Sequence, residues 1–256
     1  PAFNTPADLG FADLLASVPN TVHLSLFDNE TSQLCSWHLP RAHTLEAWGD
    51  GAAWDGSLTL RQPLIEPLYG GRSMIEIVAL VDGGEMVSGH EIVKKYLAAA
   101  HPALAADSAW RQALHDGVVI DSAWPKTTPR PSPAALAGAV DGLRAVLDAG
   151  EVSGDRVELV ITADSKVMDG RYANNGWLQE LPDAITKITW DNALLVSPAA
   201  ARALGVKDGE VASVEANGAK AEVPVCIVPG QARDSVALAA GYGRTAAGQV
   251  GNGVGI

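Results

Sequence analysis

Asn217 and Gly218 stand between two runs with alternating apolar residues, EVASVEA and AKAEVPVCIV. In that setting an Asn-Gly pair is the strongest short-range indication of a β-hairpin, because both residues reach the positive φ angles that a two-residue turn demands. The C-terminal part of the chain is thereby committed to β-structure. Its neighbours agree: VELVIT, ITKITW and ALLVS are short and bounded by turn formers, as strands are. One helix interrupts them, SPAAARALGV, with Ser197 as N-cap, Pro198 at the first helical position and Gly205 at the stop. Pro224, inside the second hairpin strand, indicates an edge or a bulge, since proline has no N–H to give to a ladder.

The residues before this region follow a different period. TVHLSLF (21–27) reads as a buried strand closed by the turn-forming DNET. Ser73 opens a helix with a capping box, Glu76 standing three residues on, ahead of the apolar IVALV. HEIVKKYLAAA and SAWRQALHDG read as helices and VVI (118–120) as a short strand. The best helical pattern is SPAALAGAVDGLRAVLDAG, with Ser132 as N-cap, Gly150 past the end, and Leu136, Val140, Leu143 and Leu147 on one face. The character changes after GEVSGD, which places a domain boundary between 152 and 153: a mixed α/β unit over 1–152, then a mostly β, barrel-like unit over 153–256.

Charge and cysteine usage narrow the function classes. A net charge of −12 is spread along the chain and repels phosphate backbones and anionic lipid, so nucleic acid is not an expected partner. No run of about 18 apolar residues is present, so direct membrane insertion is not expected. The chain begins at Pro1 rather than Met and ends in GNGVGI, which reads as a segment of a longer polypeptide. Cys35 and Cys226 are the only cysteines and no C-x-x-C occurs. An iron–sulfur cluster wants about four thiolates, so this segment holds none by itself. A disulfide between the two stays open, as does the redox compartment.

Three stretches are candidates for chemistry. CSWHLPRAHTLEAWGD gathers Cys35, His38, His43, Glu46 and Asp50, all metal-ligating types. Pro40 breaks any helix that would align them, and a strand or loop carrying Cys35 and Trp37 inward is the expectation, with no metal site. GYGRTAAG (241–248) lacks the Lys-Ser/Thr ending of a P-loop and reads as a backbone turn. Arg244 and Thr245 are anion contacts there, because glycine lets backbone N–H groups approach a ligand closely. DGRYANNGWLQELPD (169–183) sets Arg171, Asn174, Asn175, Trp177 and Gln179 in a long polar loop between strands. Such a loop either carries function or packs its Trp under the barrel. His90, His101 and His115 lie in helical stretches and no G-x-S-x-G occurs, so no catalytic residue is assigned.

WHLPRAHTLEAWGDG, LTLRQPLIEPLYGGRS, DGRYANNGWLQELPDAITKITWDNALLVSPAAARALGVKDGE and GYGRTAAGQVGNGVG resemble the molybdopterin-like, iron–sulfur-containing subunit of alternative complex III, a quinol:cytochrome c oxidoreductase. More distantly, the chain is similar to molybdopterin-dinucleotide oxidoreductases of the dimethyl sulfoxide reductase type. Ala203, Leu204, Gly205, Val206, Asp208, Gly209, Glu210 and Val211 match the pattern that the final domain of those enzymes carries. The resemblance implies a partial Rossmann-like α/β domain over 1–152 and a double-psi β-barrel, molybdopterin-dinucleotide-binding-like, over 153–256. In the catalytic relatives that barrel begins its pocket with a Thr-Gly-Arg turn. The equivalent turn here is Thr162-Ala163-Asp164, where a carboxylate replaces a guanidinium and repels phosphate. Asp169 adds to that repulsion and Arg171 offsets it in part. The resemblance therefore implies a cofactor-free scaffold within a respiratory electron-transfer complex, without chemistry of its own. Its partners would be the other subunits of a membrane-associated assembly, a cytochrome c-type subunit among them, on the periplasmic side of a bacterial inner membrane, with iron–sulfur clusters elsewhere in the full-length protein. The alternative is a genuine binder of molybdopterin guanine dinucleotide, in which Thr162, Arg171, Asn174, Asn175, Arg244, Thr245 and Asn252 line the nucleotide end of the pocket.

Overall fold

The computed structural model describes residues 1–148, 157–216 and 218–256. In chain order the first half holds α1 (Phe11–Ala16), β1 (Val22–Ser25), α2 (Glu30–Leu34), β2 (Trp37–Pro40), β3 (Gly49–Ala52), β4 (Leu58–Arg61), α3 (Met74–Gly83), α4 (Gly89–Ala100) and α5 (Asp107–Asp116). The second half holds α6 (Pro133–Asp148), β5 (Glu158–Ala163), α7 (Gly176–Glu180), β6 (Leu194–Val196), α8 (Pro198–Leu204), β7 (Val211–Ala216), β8 (Ala219–Ile227) and β9 (Ser235–Ala240). These elements form two compact units. One comprises Pro1–Pro19, Asp28–Leu34 and Arg130–Ile256, the other Asn20–Phe27 and Cys35–Pro129. The boundary expected at 152/153 lies outside the described residues.

In the unit built from 20–27 and 35–129, helices α3, α4 and α5 accompany two small sheets, β1 parallel to β2 and β3 antiparallel to β4. The helices start where the caps predict. Ser73 accepts from the Glu76 N–H while the Glu76 carboxylate accepts the Ser73 N–H at 2.8 Å, completing the capping box. Ser88 caps α4 by accepting from the Glu91 N–H at 3.3 Å. Val93 and Leu97, one turn apart on α4, meet Leu104, Trp110, Ala113 and Val119 to form the core of this unit. Substituting Ser73 by Ala removes a cap that is itself buried and is expected to cost about 1 kcal/mol in urea unfolding; an unchanged midpoint would show that the cap carries no weight.

Three expectations for this part are corrected. TVHLSLF does form a strand, but Val22, Leu26 and Phe27 are exposed, because β1 pairs only with β2 among the described residues and lacks the covering layers a parallel strand normally has. VVI is no strand: Val118 makes a single bridge to Thr59. Trp37 points outward at 66% exposure, not inward.

The other unit is organised by one five-stranded mixed sheet in the order β5-β9-β6-β8-β7. The predicted hairpin is present, with β7 antiparallel to β8 and Ala216 opposite Ala219. Gly218 has φ 83°, while Asn217 lies outside the described residues. Pro224 stands where β8 pairs with β7 alone and beside a bulge, Gly209 (φ 78°) and Glu210 both bonding to Val225. It is the last residue of β8 paired with β7, and from Val225 onward β8 pairs with β6, so the missing N–H falls where the ladder changes partner. Leu194, Val196, Val223, Val225 and Val236 of the sheet bury against Ala200 and Ala201 of α8. Each of these valines stabilises the fold by about 1.5–3 kcal/mol relative to an exposed one. Two ends of the strand order, β5 and β7, stay unpaired with each other, so this pairing makes no closed barrel.

Local chemistry overrode two further patterns. ITKITW (185–190) is a turn, because the Asp183 carboxylate accepts from the Ile185 and Thr186 N–H groups at 2.9 and 2.8 Å and Lys187 takes φ 63°. SVALAA, poor in β-branched residues, is nevertheless β9, held between β5 and β6. In α6, Leu136, Val140 and Leu143 are exposed rather than buried along one face, and Gly150 lies outside the described residues. No helix among the described residues is long and apolar enough to cross a membrane.

Candidate functional site

β5 and β9 run parallel and in register, Thr162 opposite Ala239 and Ala163 opposite Ala240. They therefore end side by side, and the two longest loops of this unit, 164–192 and 241–256, leave the sheet together from their carboxyl ends. In α/β sheets that is where ligands bind. All seven residues expected to contact a dinucleotide lie on these loops or at their root.

The loop after β5 turns at once. Asp164 and Met168 pair through both backbone hydrogen bonds at 3.1 Å, and the Asp164 carboxylate accepts from the Lys166 and Val167 N–H groups at 2.7 and 2.8 Å. Arg171 grips Asp169 as a fork, Nε on Oδ1 at 2.8 Å and Nη2 on Oδ2 at 2.9 Å. That fork, with a further bond from Asn4, holds Asp169 well below the usual carboxylate range. Asn175 caps α7 by accepting from the Trp177 and Leu178 N–H groups. The Trp of this loop is not packed under the sheet: Trp177 is 87% exposed, and Gln179 is buried in its place, its amide donating to the Ala173 carbonyl at 2.9 Å.

The glycine loop is laid over the first. Asn174 accepts from the Val250 N–H at 2.9 Å, and a Cβ on Gly248 would stand 2.5 Å from the Asn174 amide. Asn252 accepts from the Ala247 N–H and from the Gly248 N–H at 3.1 Å, closing the loop on itself. Asn192, at the end of the first loop, donates to the Ala239 and Ile256 carbonyls at 2.9 and 3.0 Å and accepts the Ile256 N–H. Tyr242 is buried beneath; burial first, then the charges of Asp164 and Asp191, push its phenol up and keep it protonated.

Arg244 is the centre of the assembly. Its side chain is 11% exposed and pairs with Glu30, itself 14% exposed and 214 positions away. The guanidinium donates to both Glu30 oxygens and, through Nη1, to the Gly170 carbonyl at 2.7 Å, while its face lies 5.0 Å from the Phe3 ring centroid. The Thr245 and Ala246 N–H groups also donate to Glu30, at 3.1 and 3.0 Å. Burial acts to raise the Glu30 pKa, but the guanidinium and the Ala246 N–H outweigh it and draw the pKa down to about 2. The glycine loop does bind an anion, and the anion belongs to the chain.

Of the expected contacts Thr162, Arg171, Asn175, Thr245 and Asn252 are exposed, and Asn174 and Arg244 are half-buried. Thr162 lines a shallow, solvent-open cleft together with Asp164, Lys166, Asp183, Asp191 and Asn192. Lys166 spends its ammonium on the Ile188 carbonyl at 3.1 Å. Three carboxylates against one committed ammonium make this wall unfavourable for a phosphate. Sequence reasoning missed Glu30 and Asp183. DNET carries a signal for the first, since Asn29 accepts from the Thr31 and Ser32 N–H groups as an N-cap does, but nothing local marks Glu30 as the partner of Arg244.

In the other stretch singled out, Glu46 accepts from the His43 and Leu68 N–H groups at 2.8 and 3.2 Å and His43 accepts from Leu45, so these two side chains build turns. Both cysteines are free thiols. Among the described residues no group of three or more His, Cys, Asp or Glu is placed to hold a metal ion.

No protein-family model matches this chain, and no curated protein matches it. Among solved structures it is similar to acetylene hydratase from Pelobacter acetylenicus, with a TM-score of 0.57 at 16% identity over 92% of this chain and 34% of that one. That likeness shows the fold alone, and the chain spans about a third of the length of that structure.

Proposed function

We propose that this chain is part of a molybdopterin oxidoreductase-like subunit and acts there as a cofactor-free scaffold. The observation that carries this reading is the commitment of the expected nucleotide contacts to the protein itself: Arg171 to Asp169, Asn174 to Val250, Asn175 to α7, Asn252 to its own loop, and Arg244 with Thr245 to Glu30. To engage Arg244 a dinucleotide would have to break its ion pair with Glu30, whose side chains are 11% and 14% exposed. The residues present do not fit that group.

In this reading the β5–β9 sheet corresponds to the double-psi β-barrel of the catalytic relatives and the α/β unit to part of their Rossmann-like domain. The assembly would be a respiratory one of the alternative complex III kind, taking electrons from quinol to a cytochrome c-type subunit on the periplasmic side, with iron–sulfur clusters carried outside this segment. The test is metal analysis and pterin fluorescence on the full-length protein. Molybdenum and tungsten well below one per chain are expected, and stoichiometric metal with a fluorescent pterin would overturn the reading. The alternative, a working dinucleotide-binding domain, is favoured by one observation: Thr162 does line an open cleft.

A further inference from the structure

The glycine loop carries four donors aimed at one point: Nε and Nη2 of Arg244 and the N–H groups of Thr245 and Ala246. Converging charged and backbone donors of this kind form an oxyanion nest, and they suit a phosphate oxygen as well as a carboxylate. Contacts other than Glu30 also hold the donors in place. Nη1 of Arg244 is tied to the Gly170 carbonyl, the Phe3 ring covers the guanidinium, and Gly241, at the root of the loop, packs where a Cβ would stand 2.5 Å from the Met168 carbonyl. Glu30 comes from a separate stretch, the first residue of the five-residue helix α2. The donors and the acceptor thus belong to different elements.

We propose that Arg244, Thr245 and Ala246 form an oxyanion site whose resident is Glu30, a carboxylate supplied by the chain that keeps phosphate-bearing ligands out. The inference rests on the cofactor-free reading above and names the group responsible for it. Glu30 is present at unit stoichiometry on every molecule, so an external phosphate competes with an internal carboxylate. Its apparent affinity is reduced by the fraction of molecules in which Glu30 has swung away. Removing the carboxylate leaves a largely buried guanidinium without its counter-ion and the Thr245 and Ala246 N–H groups without their acceptor, and such a site gains from an added anion.

Glu30→Ala and Glu30→Gln variants of the full chain, titrated with inorganic pyrophosphate, test this. The wild type is expected to show no saturable binding by calorimetry and no pyrophosphate-dependent rise in Tm. Glu30→Ala is expected to melt lower, to bind pyrophosphate at least about tenfold tighter than wild type, and to recover part of its lost Tm in its presence. Glu30→Gln keeps the side-chain volume and covers the case in which the Ala variant does not fold: it should show the same rescue, reduced in size. Guanosine diphosphate in place of pyrophosphate separates the sources of the anion. Equal rescue assigns the site to phosphate alone, and larger rescue extends it to a nucleotide; both support the proposal. Folded variants that bind neither ligand, or a wild type that binds as tightly as its variants, would overturn it. Stoichiometric metal and pterin in the full-length protein would overturn the scaffold reading separately, while the pyrophosphate titration would still decide the role of Glu30.

Discussion

Replacing Arg244 by Ala is expected to destabilise the unit built on the five-stranded sheet by about 3–5 kcal/mol, because it leaves Glu30 buried and charged with no counter-ion. For a unit of this size that is a fall in Tm on the order of 10 °C. The pH dependence separates this ion pair from ordinary packing. Glu30 has a folded-state pKa of about 2 against its ordinary 4.5, so its contribution is fully present above about pH 4.5 and is lost as the pH falls to about 2. By linkage the wild type loses roughly 3 kcal/mol across that window from this group. In Arg244→Ala the window should flatten, since the guanidinium that holds the pKa down is gone. Urea unfolding at several pH values between 2 and 5 measures both effects. A variant as stable as wild type at neutral pH, with the same acid slope, would mean that the Glu30–Arg244 pair is ornamental.

The second large effect concerns the backbone. Gly241 follows β9 with φ 104°, a region L-residues rarely enter, and a Cβ there would meet the Met168 carbonyl at 2.5 Å and the Gly170 N–H nitrogen at 2.7 Å. Neither atom is the end of a flexible side chain, so Gly241→Ala must push the two loops apart. Backbone strain and overpacking together are expected to cost roughly 3–5 kcal/mol and to lower hydrogen-exchange protection at the Arg244 and Gly170 contacts. Gly253→Ala is the control. Gly253 also has a positive φ, of 67°, but its Cβ would point into open space, so only the conformational cost of about 1–2 kcal/mol is expected. Equal losses in the two variants would remove the close approach of the loops from the explanation.

What could be read in advance follows the range of the forces involved. Ser73 with Glu76, Ser197 with Pro198 and Gly205, and the Asn217-Gly218 turn are decided by hydrogen bonds and steric limits within a few residues, and the structure places helix starts, a stop and a hairpin at them. ITKITW misled because its apolar alternation competes with a carboxylate two residues upstream, and three bonds to Asp183 win. SVALAA passed unnoticed because an alanine-rich run has little strand preference of its own; its two neighbours in the sheet impose the conformation.

The candidate site divides along the same line. Its residues were legible as a group: the glycines, asparagines and arginines of 169–183 and 241–252 do meet, at the carboxyl ends of two parallel strands. Their use was not legible. A polar side chain in a loop is read as open to a ligand until its partner is known, and here Arg171, Asn174, Asn175, Arg244 and Asn252 all find partners within the chain.

By itself the sequence determined the local elements, the acidic surface and the set of residues gathered at the loops, since these depend on neighbours a few positions apart. The tertiary structure alone decided that Glu30 fills the anion site of the glycine loop. That contact spans 214 positions, and no local period or cap records which distant carboxylate chain closure will bring to a given guanidinium.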